Sequence, residues 1–258
     1  MTQHLHSEQP VAVITGGAQG IGHATATTLA ASGYRVVILD LKGSAAAATA
    51  LGDRAIGIDC NMTQQAEVDA AFAEIASRFG RIDALVTAAG IVAVAPAMTC
   101  DASEFERVLS VNVTGSFLPA RAAARVMQAA GSGSIVMIGS VYGISGAPQR
   151  TAYCASKGAV HNMAQSLAVE WGPLGIRVNV VAPTGTRTPM VQDLIDRGLY
   201  DLAGVMGRTP LGQLADPEDI ADACAFLCSP AARMISGVIL PVDGGWSANG
   251  FVLKRKDL

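Results

Sequence analysis

A chain of 258 residues that is 50% hydrophobic and only 15% charged is too apolar to be disordered and long enough to bury a large core. Its net charge of −3 leaves no electrostatic footprint for nucleic acid or an acidic membrane, and no apolar run reaches bilayer length. The polar start, residues 1–9 with His4 and His6, lacks the apolar core of a signal peptide, so the expected location is the cytoplasm.

From Val11 onward, β-rich runs alternate with Ala-rich stretches of helical length. The pattern predicts, in chain order, a strand over 11–15, a helix over 20–32, a strand over 35–40 and a short helix near 45–48. A strand over 55–58, a helix over 64–79, a strand over 82–87 and a long helix over 103–130 follow. Pro119 lies inside that long helix and is expected to kink it. A strand over 134–139, a helix over 151–171, a strand over 177–182, a helix over 216–228 and a strand over 237–242 complete the series. Asp216, Pro217, Glu218 and Asp219 read as an N-cap, a proline at the first helical position and a first-turn acidic pair.

Most of these strands are apolar without alternation, as parallel strands covered on both faces must be. Alternating strand and helix predict right-handed βαβ units, hence an α/β fold with a doubly wound parallel sheet of about seven strands. No Gly-, Ser- or Pro-rich linker interrupts the chain, so residues 10–258 read as one domain behind the polar tail. The five cysteines, Cys60, Cys100, Cys154, Cys224 and Cys228, have no metal-ligand spacing and read as free thiols, with no metal site.

The segment Thr15-Gly16-Gly17-Ala18-Gln19-Gly20-Ile21-Gly22 stands between the first strand and the first helix. Glycines there allow a tight turn and close approach of a pyrophosphate, and the helix start offers unpaired N–H groups to it. A purely structural turn would also use glycine, but the strand before and helix after are the context that dinucleotide binding requires. Asp40 ends the second strand, 18 residues beyond Gly22. A carboxylate at that place accepts from both adenosine ribose hydroxyls and repels a 2′-phosphate. Because Gln19 supplies no cation beside it, NAD is favoured over NADP.

Tyr153 and Lys157 stand four residues apart in a predicted helix and share a face. An ammonium beside a phenol favours the phenolate, which makes the tyrosine usable as a base. Ser140 follows the fifth strand, at the carboxyl edge where such sheets place ligands. Asn112 is a polar residue in an otherwise apolar helical stretch, either bonded back to the helix or holding a water.

In order and approximate spacing, Thr15–Gly22, Asn112, Ser140, and Tyr153 with Lys157 resemble the short-chain dehydrogenase/reductase signature. The likeness extends over about residues 10–247 and takes in Gly175-Ile176-Arg177-Val178-Asn179 and Val242-Asp243-Gly244-Gly245. It implies a Rossmann-type sheet, a bound nicotinamide cofactor and an Asn112–Ser140–Tyr153–Lys157 tetrad. Tyr153 would be the acid/base and Ser140 the group that orients the substrate oxygen. Lys157 would lower the Tyr153 pKa and hold the nicotinamide ribose, and Asn112 would place a relay water. The resemblance further assigns Gly16, Gln19, Gly20, Ile21, Gly22, Asp40, Leu41, Asp59, Cys60, Ala88, Ala89, Gly90, Pro183, Thr184, Thr186 and Thr188 to the cofactor.

Two departures stand out. Thr87-Ala88-Ala89-Gly90 replaces the usual Asn-Asn-Ala-Gly, which removes any contact made by an Asn side chain. Pro183-Thr184 replaces Pro-Gly, with Gly185 one place later, so either Thr184 takes a glycine-like backbone angle or the loop shifts by one. Residues 188–212 resemble a variable substrate lid. Gln149 and Arg150 would suit a polyol, a sugar or a related hydroxy compound; Val92, Val94 and Met190 would suit an apolar ketone. The implied protein is an NAD-dependent alcohol dehydrogenase, with a 3-oxoacyl reductase or a non-catalytic dinucleotide sensor as alternatives. Helices 103–130 and 151–171, with 237–252, are expected to pair copies into a homotetramer.

Overall fold

The computed structural model describes residues 9–250; the polar segment 1–8 and the last residues of the 237–252 stretch lie outside the described residues. Seven strands, β1 (Val11–Thr15), β2 (Arg35–Asp40), β3 (Ala55–Asp59), β4 (Ala84–Thr87), β5 (Gly133–Ile138), β6 (Ile176–Pro183) and β7 (Ile239–Val242), form one sheet in the order β3-β2-β1-β4-β5-β6-β7. Every neighbouring pair is parallel. The order reverses between β1 and β4, and there the carboxyl ends open a crevice.

The lack of polar alternation in the strands has a direct cause. In β1, Val11 and Val13 belong to the core on one face of the sheet, Ala12 and Ile14 to the core on the other. In β2, Val37 and Leu39 face the first core and Val36 and Ile38 the second. The first core is closed by α3 (Gln65–Phe79), α5 (Gly115–Ala130) and α6 (Thr151–Trp171). The second is closed by α1 (Gly20–Ala31), α2 (Ser44–Ala50) and α9 (Pro217–Cys228). The cap foreseen for α9 is present as a capping box, with Asp216 N–H donating to Asp219 Oδ2 at 2.8 Å.

The predicted helix over 103–130 is not continuous. It is divided into α4 (Ala102–Leu109), a widened π-helical turn over Ser110–Thr114, and α5. The expected irregularity is therefore one turn upstream of Pro119, which itself sits in regular helix. Pro119 brings no N–H to the Gly115 carbonyl and its ring crowds that oxygen. Upstream of it, Gly115 N–H reaches back five residues to the Ser110 carbonyl. The lid region holds two further helices that no pattern predicted, α7 (Pro189–Asp196) and α8 (Leu202–Arg208). Strand ends differ from expectation by one or two residues. β4 starts at Ala84 because Asp83 Oδ2 accepts from Val11 N–H at 2.7 Å while pairing with Arg81. Among the described residues no helix is long and apolar enough to cross a membrane.

Candidate active site

The chain leaves β1 at Thr15 and turns at Gly16 with φ +65°. A Cβ on Gly16 would lie 2.5 Å from the Ala89 nitrogen, and one on Gly22 would collide with the Gly16 carbonyl. The loop thus folds on itself and against the end of β4 only because side chains are missing. At the start of α1 no side chain caps the first-turn N–H groups, and no acid occupies that turn. These amides are what an anionic diphosphate needs. At the end of β2, Asp40 is aimed back at this loop, Oδ2 accepting from Ala18 N–H at 3.0 Å and Oδ1 from Leu41 N–H at 2.8 Å.

A cleft of about 430 Å³ runs along the carboxyl edge from Asp40 to Tyr153. Gly16, Gln19, Gly20, Ile21, Gly22, Asp40, Leu41, Cys60, Ala88, Ala89, Gly90, Tyr153, Lys157 and Thr188 line it, all of them sequence candidates. The residues present fit a dinucleotide: a bare helix start in the middle, a carboxylate at one end and a tyrosine–lysine pair at the other. Asn61, Met62, Thr63, Ile91, Arg107, Val111, Ile138, Pro189 and Met190 complete the wall and were not foreseen as cofactor neighbours. Residues 61–63 follow β3 at its carboxyl end, which was signal enough to include them.

Four of the cofactor candidates stand off this wall. Asp59 is exposed and its Oδ1 accepts from Ser44 N–H at 3.1 Å, at the start of α2. Pro183 ends β6, and Thr186 is buried with its hydroxyl donating to the Thr184 carbonyl at 3.1 Å. Thr184 does not adopt a glycine-like angle, since Gln149 is the one non-glycine residue with positive φ among those described. Gly185 is needed for another reason: a Cβ there would strike the Tyr200 hydroxyl and Leu214. The glycine one place later makes room for a lid tyrosine.

Ser140, Tyr153 and Lys157 come together where β5 meets α6. Ser140 and Tyr153 interact through their hydroxyls, and Ser140 Oγ accepts from Tyr142 N–H at 3.1 Å. Lys157 is buried, its Nζ 5.6 Å from the Tyr153 ring centre and donating to the Ile138 carbonyl at 2.8 Å. Asn112 lies in the π-helical turn and acts as a clip. Its Oδ1 accepts from Ile91 N–H at 2.8 Å, and Nδ2 donates to the Ile91 carbonyl at 3.0 Å and to Ser156 Oγ at 2.9 Å. Both amide donors are thereby committed to protein groups, so the placing of a water is not work this side-chain amide is free to do by donation. Ser156 in turn donates to the Tyr153 carbonyl at 2.7 Å.

One residue of this cluster escaped sequence reasoning. His161 is buried, and its Nε2 accepts from Ser140 N–H at 3.4 Å. Added Cβ atoms at Gly139 or Gly143 would run into its ring. The imidazole is a wedge beneath the turn that carries Ser140. Tyr153, Lys157 and His161 repeat every four residues along α6, and that stripe was the signal available.

Burial sets the electrostatics here. It pushes the Tyr153 phenol up to about 12, opposed by the hydrogen bond from Ser140 and by the Arg150 guanidinium. It pulls Lys157 down to about 8 and His161, with a further push from Lys157, down to about 4. Lys157 is not among the groups that move the Tyr153 phenol in the protein alone.

The chain's likeness to known proteins agrees with this geometry. A family model described as "Enoyl-(Acyl carrier protein) reductase" matches residues 16–247. The chain is 43% identical over 244 residues to cis-4-hydroxycyclohexanecarboxylate dehydrogenase of Sinomonas cyclohexanicum, covering 92% of this chain and 96% of the relative. It is 39% identical to D-threitol dehydrogenase of Mycolicibacterium smegmatis over 242 residues, 92% of each. The solved structure of levodione reductase superposes with a TM-score of 0.88 at 32% identity, covering 93% of this chain and 98% of that one. With its parallel sheet, its glycine loop and its Ser140–Tyr153–Lys157 cluster, the chain belongs to the short-chain dehydrogenase/reductase family, whose members bind a nicotinamide dinucleotide.

Proposed function

We propose that this protein is an NAD-dependent dehydrogenase that interconverts a secondary alcohol and a ketone, with Tyr153 as the acid/base. What supports this most is Tyr153 at the end of the dinucleotide-shaped cleft, interacting with Ser140 and with buried Lys157 behind it. The relatives' names point the same way: each acts on an alcohol or ketone, one of them on a cyclic alcohol that carries a carboxylate.

A nicotinamide dinucleotide held by Gly16–Gly22, Asp40 and Lys157 would supply the hydride chemistry. The protein's own share is positioning and proton transfer. Ser140 Oγ holds the substrate oxygen, and Tyr153 Oη removes its proton as the C–H bond breaks and the C=O bond forms. In the reductive direction Tyr153 returns that proton. Two hydroxyls facing one oxygen stabilise charge where it develops, in a site from which burial excludes water. Lys157 holds a positive charge behind the phenol at neutral pH, since its own pKa is about 8. Asn112 and His161 act through others: Asn112 ties α6 to the loop at Ile91, and His161 braces the Ser140 turn.

Asp40 underlies the choice of NAD. A carboxylate fixed by two backbone N–H groups faces the ribose end of the cleft, where a 2′-phosphate would meet like charge. The purified protein should reduce NAD with a secondary alcohol, seen as NADH absorbance, and use NADP far less well. Asp40→Ala should shrink the kcat/KM ratio of NAD to NADP by about tenfold or more. An equal or higher kcat/KM with NADP in the unaltered protein would sink this preference. We also propose a homotetramer in the cytoplasm; light scattering that returns a stable monomer at micromolar concentration would refute the assembly.

A further inference from the structure

Arg150 precedes α6 and stands three residues before Tyr153, yet it is only 9% exposed. Its Nη2 donates to the Leu199 carbonyl of the lid at 3.0 Å. Nη1 is fully buried with no partner. Among the described residues no carboxylate pairs with this guanidinium. The arginines that do pair, Arg81, Arg107, Arg121, Arg125, Arg187 and Arg197, are all more exposed. A buried charge without a counter-ion is expensive, and folded proteins keep one where something else completes it.

Its surroundings say what that completion is. The Leu199 carbonyl ties it to the lid, it stands one turn before the reacting phenol, and its charge acts on the Tyr142, Tyr153 and Tyr200 phenols. Tyr142 stands edge-on to Tyr153 at 6.4 Å and to Trp246 at 5.8 Å. Backbone strain is spent on the same spot: Gln149, immediately before Arg150, holds φ +60°, anchored by Ala95 N–H to its carbonyl at 2.9 Å. The site therefore offers aromatic walls, two hydroxyls for one oxygen, and one guanidinium with an unused donor. A further substrate hydroxyl would satisfy that donor without neutralising the charge; a carboxylate does both, and matches the planar fork.

We propose that Arg150 determines specificity at this site and that the substrate is a hydroxy acid, or the matching keto acid, whose carboxylate Arg150 holds. This rests on the alcohol–ketone reading given above and narrows it from polyols and sugars to carboxylate-bearing alcohols. The Leu199–Tyr200 segment covers the guanidinium, so carboxylate entry requires that segment to move and gives the lid something to close on.

The test uses one carbon body with and without the charge. For 4-hydroxycyclohexanecarboxylate against its carboxamide, kcat/KM with NAD should favour the acid by at least about 30-fold, the loss typical of an unpaired buried charge. Arg150→Met should bring that ratio close to one, and Arg150→Lys, which keeps charge without the fork, should retain part of it. Binding of cyclohexanecarboxylate and of cyclohexanecarboxamide to the protein–NADH complex, followed by NADH fluorescence, gives the same comparison without turnover. A ratio near one in the unaltered protein, or a preference that survives Arg150→Met, overturns the proposal while the dehydrogenase reading stands. Acid-selective binding with no alcohol oxidised in any assay supports the anion site and removes the dehydrogenase reading instead. Should Arg150→Met fail to fold, the ratio in the unaltered protein and in Arg150→Lys decides.

Discussion

On the β1–β3 side of the crevice the wall is made of main chain. Gly16, Gly20 and Gly22 present amides and no side chains, and Asp40 adds a single carboxylate held by two N–H groups. On the β4–β6 side it is made of buried polar side chains: Ser140, Lys157 and His161, with Arg150 close by, are each at most 9% exposed. The first side needs a shape that only glycine permits. The second needs charge inside the protein, and there burial moves the ionisations of Tyr153, Lys157 and His161 away from their ordinary values. One half holds its ligand by geometry; the other works by electrostatics and carries the desolvation cost.

If that division is right, the two halves should fail differently. The largest effect is expected on the main-chain side. Gly22→Ala places a methyl against the Gly16 carbonyl, which is backbone and cannot swing away. It should cost about 3 kcal/mol or more in stability and abolish measurable NADH binding. Thermal unfolding with a fluorescence titration checks both, and an unchanged Tm and Kd would mean the loop is not packed on itself.

On the side-chain side, His161 should show as a pH dependence. Its folded-state pKa is held down, near 4, against 6.5 for the free group. As pH falls from 6.5 toward 4 the unfolded chain takes up a proton here and the folded chain does not. Stability should therefore drop across that window, by up to about 3 kcal/mol from this residue. His161→Leu should flatten the acid limb of a stability–pH curve measured by urea unfolding. An identical slope in both proteins would show that His161 is not buried in its neutral form.

The smallest effect sits between the halves, at the end of β4. Thr87 is 1% exposed and its hydroxyl has no partner. Thr87→Val keeps the shape and deletes the unsatisfied group, so it should leave stability equal or raise it by about 1 kcal/mol. A loss of that size would reveal a partner for the hydroxyl.

The same contrast explains what the sequence disclosed. The strands, their parallel arrangement and the glycine loop follow from patterns along the chain, in runs such as Val11–Thr15 that are apolar on both faces. Tyr153 with Lys157 was visible through helical spacing, whereas the widened turn at Asn112 was not, because a π-helical turn leaves no periodic mark. The lid helices α7 and α8 were missed since both are short, and Leu194 is the one buried residue between them. The Asp59 carboxylate went to Ser44 rather than to the cleft because α2 starts with an unpaired amide within its reach. Arg150 could be named as a pocket residue from position alone. That it would be buried without a counter-ion depends on the Leu199 carbonyl, 49 residues away, and no local pattern carries that information.

The central claim is that binding belongs to the main-chain side and proton transfer to Tyr153, and a single variant separates them. Tyr153→Phe removes one oxygen and almost no volume from the end of the cleft. Turnover on a confirmed alcohol, measured beside an NADH fluorescence titration of the same preparation, is the deciding measurement. The account predicts a fall in kcat of about 10²-fold or more, with NADH affinity within about twofold of the unaltered protein, since the phosphate and ribose contacts of Gly16–Gly22 and Asp40 are untouched. Turnover retained at the unaltered rate would contradict it.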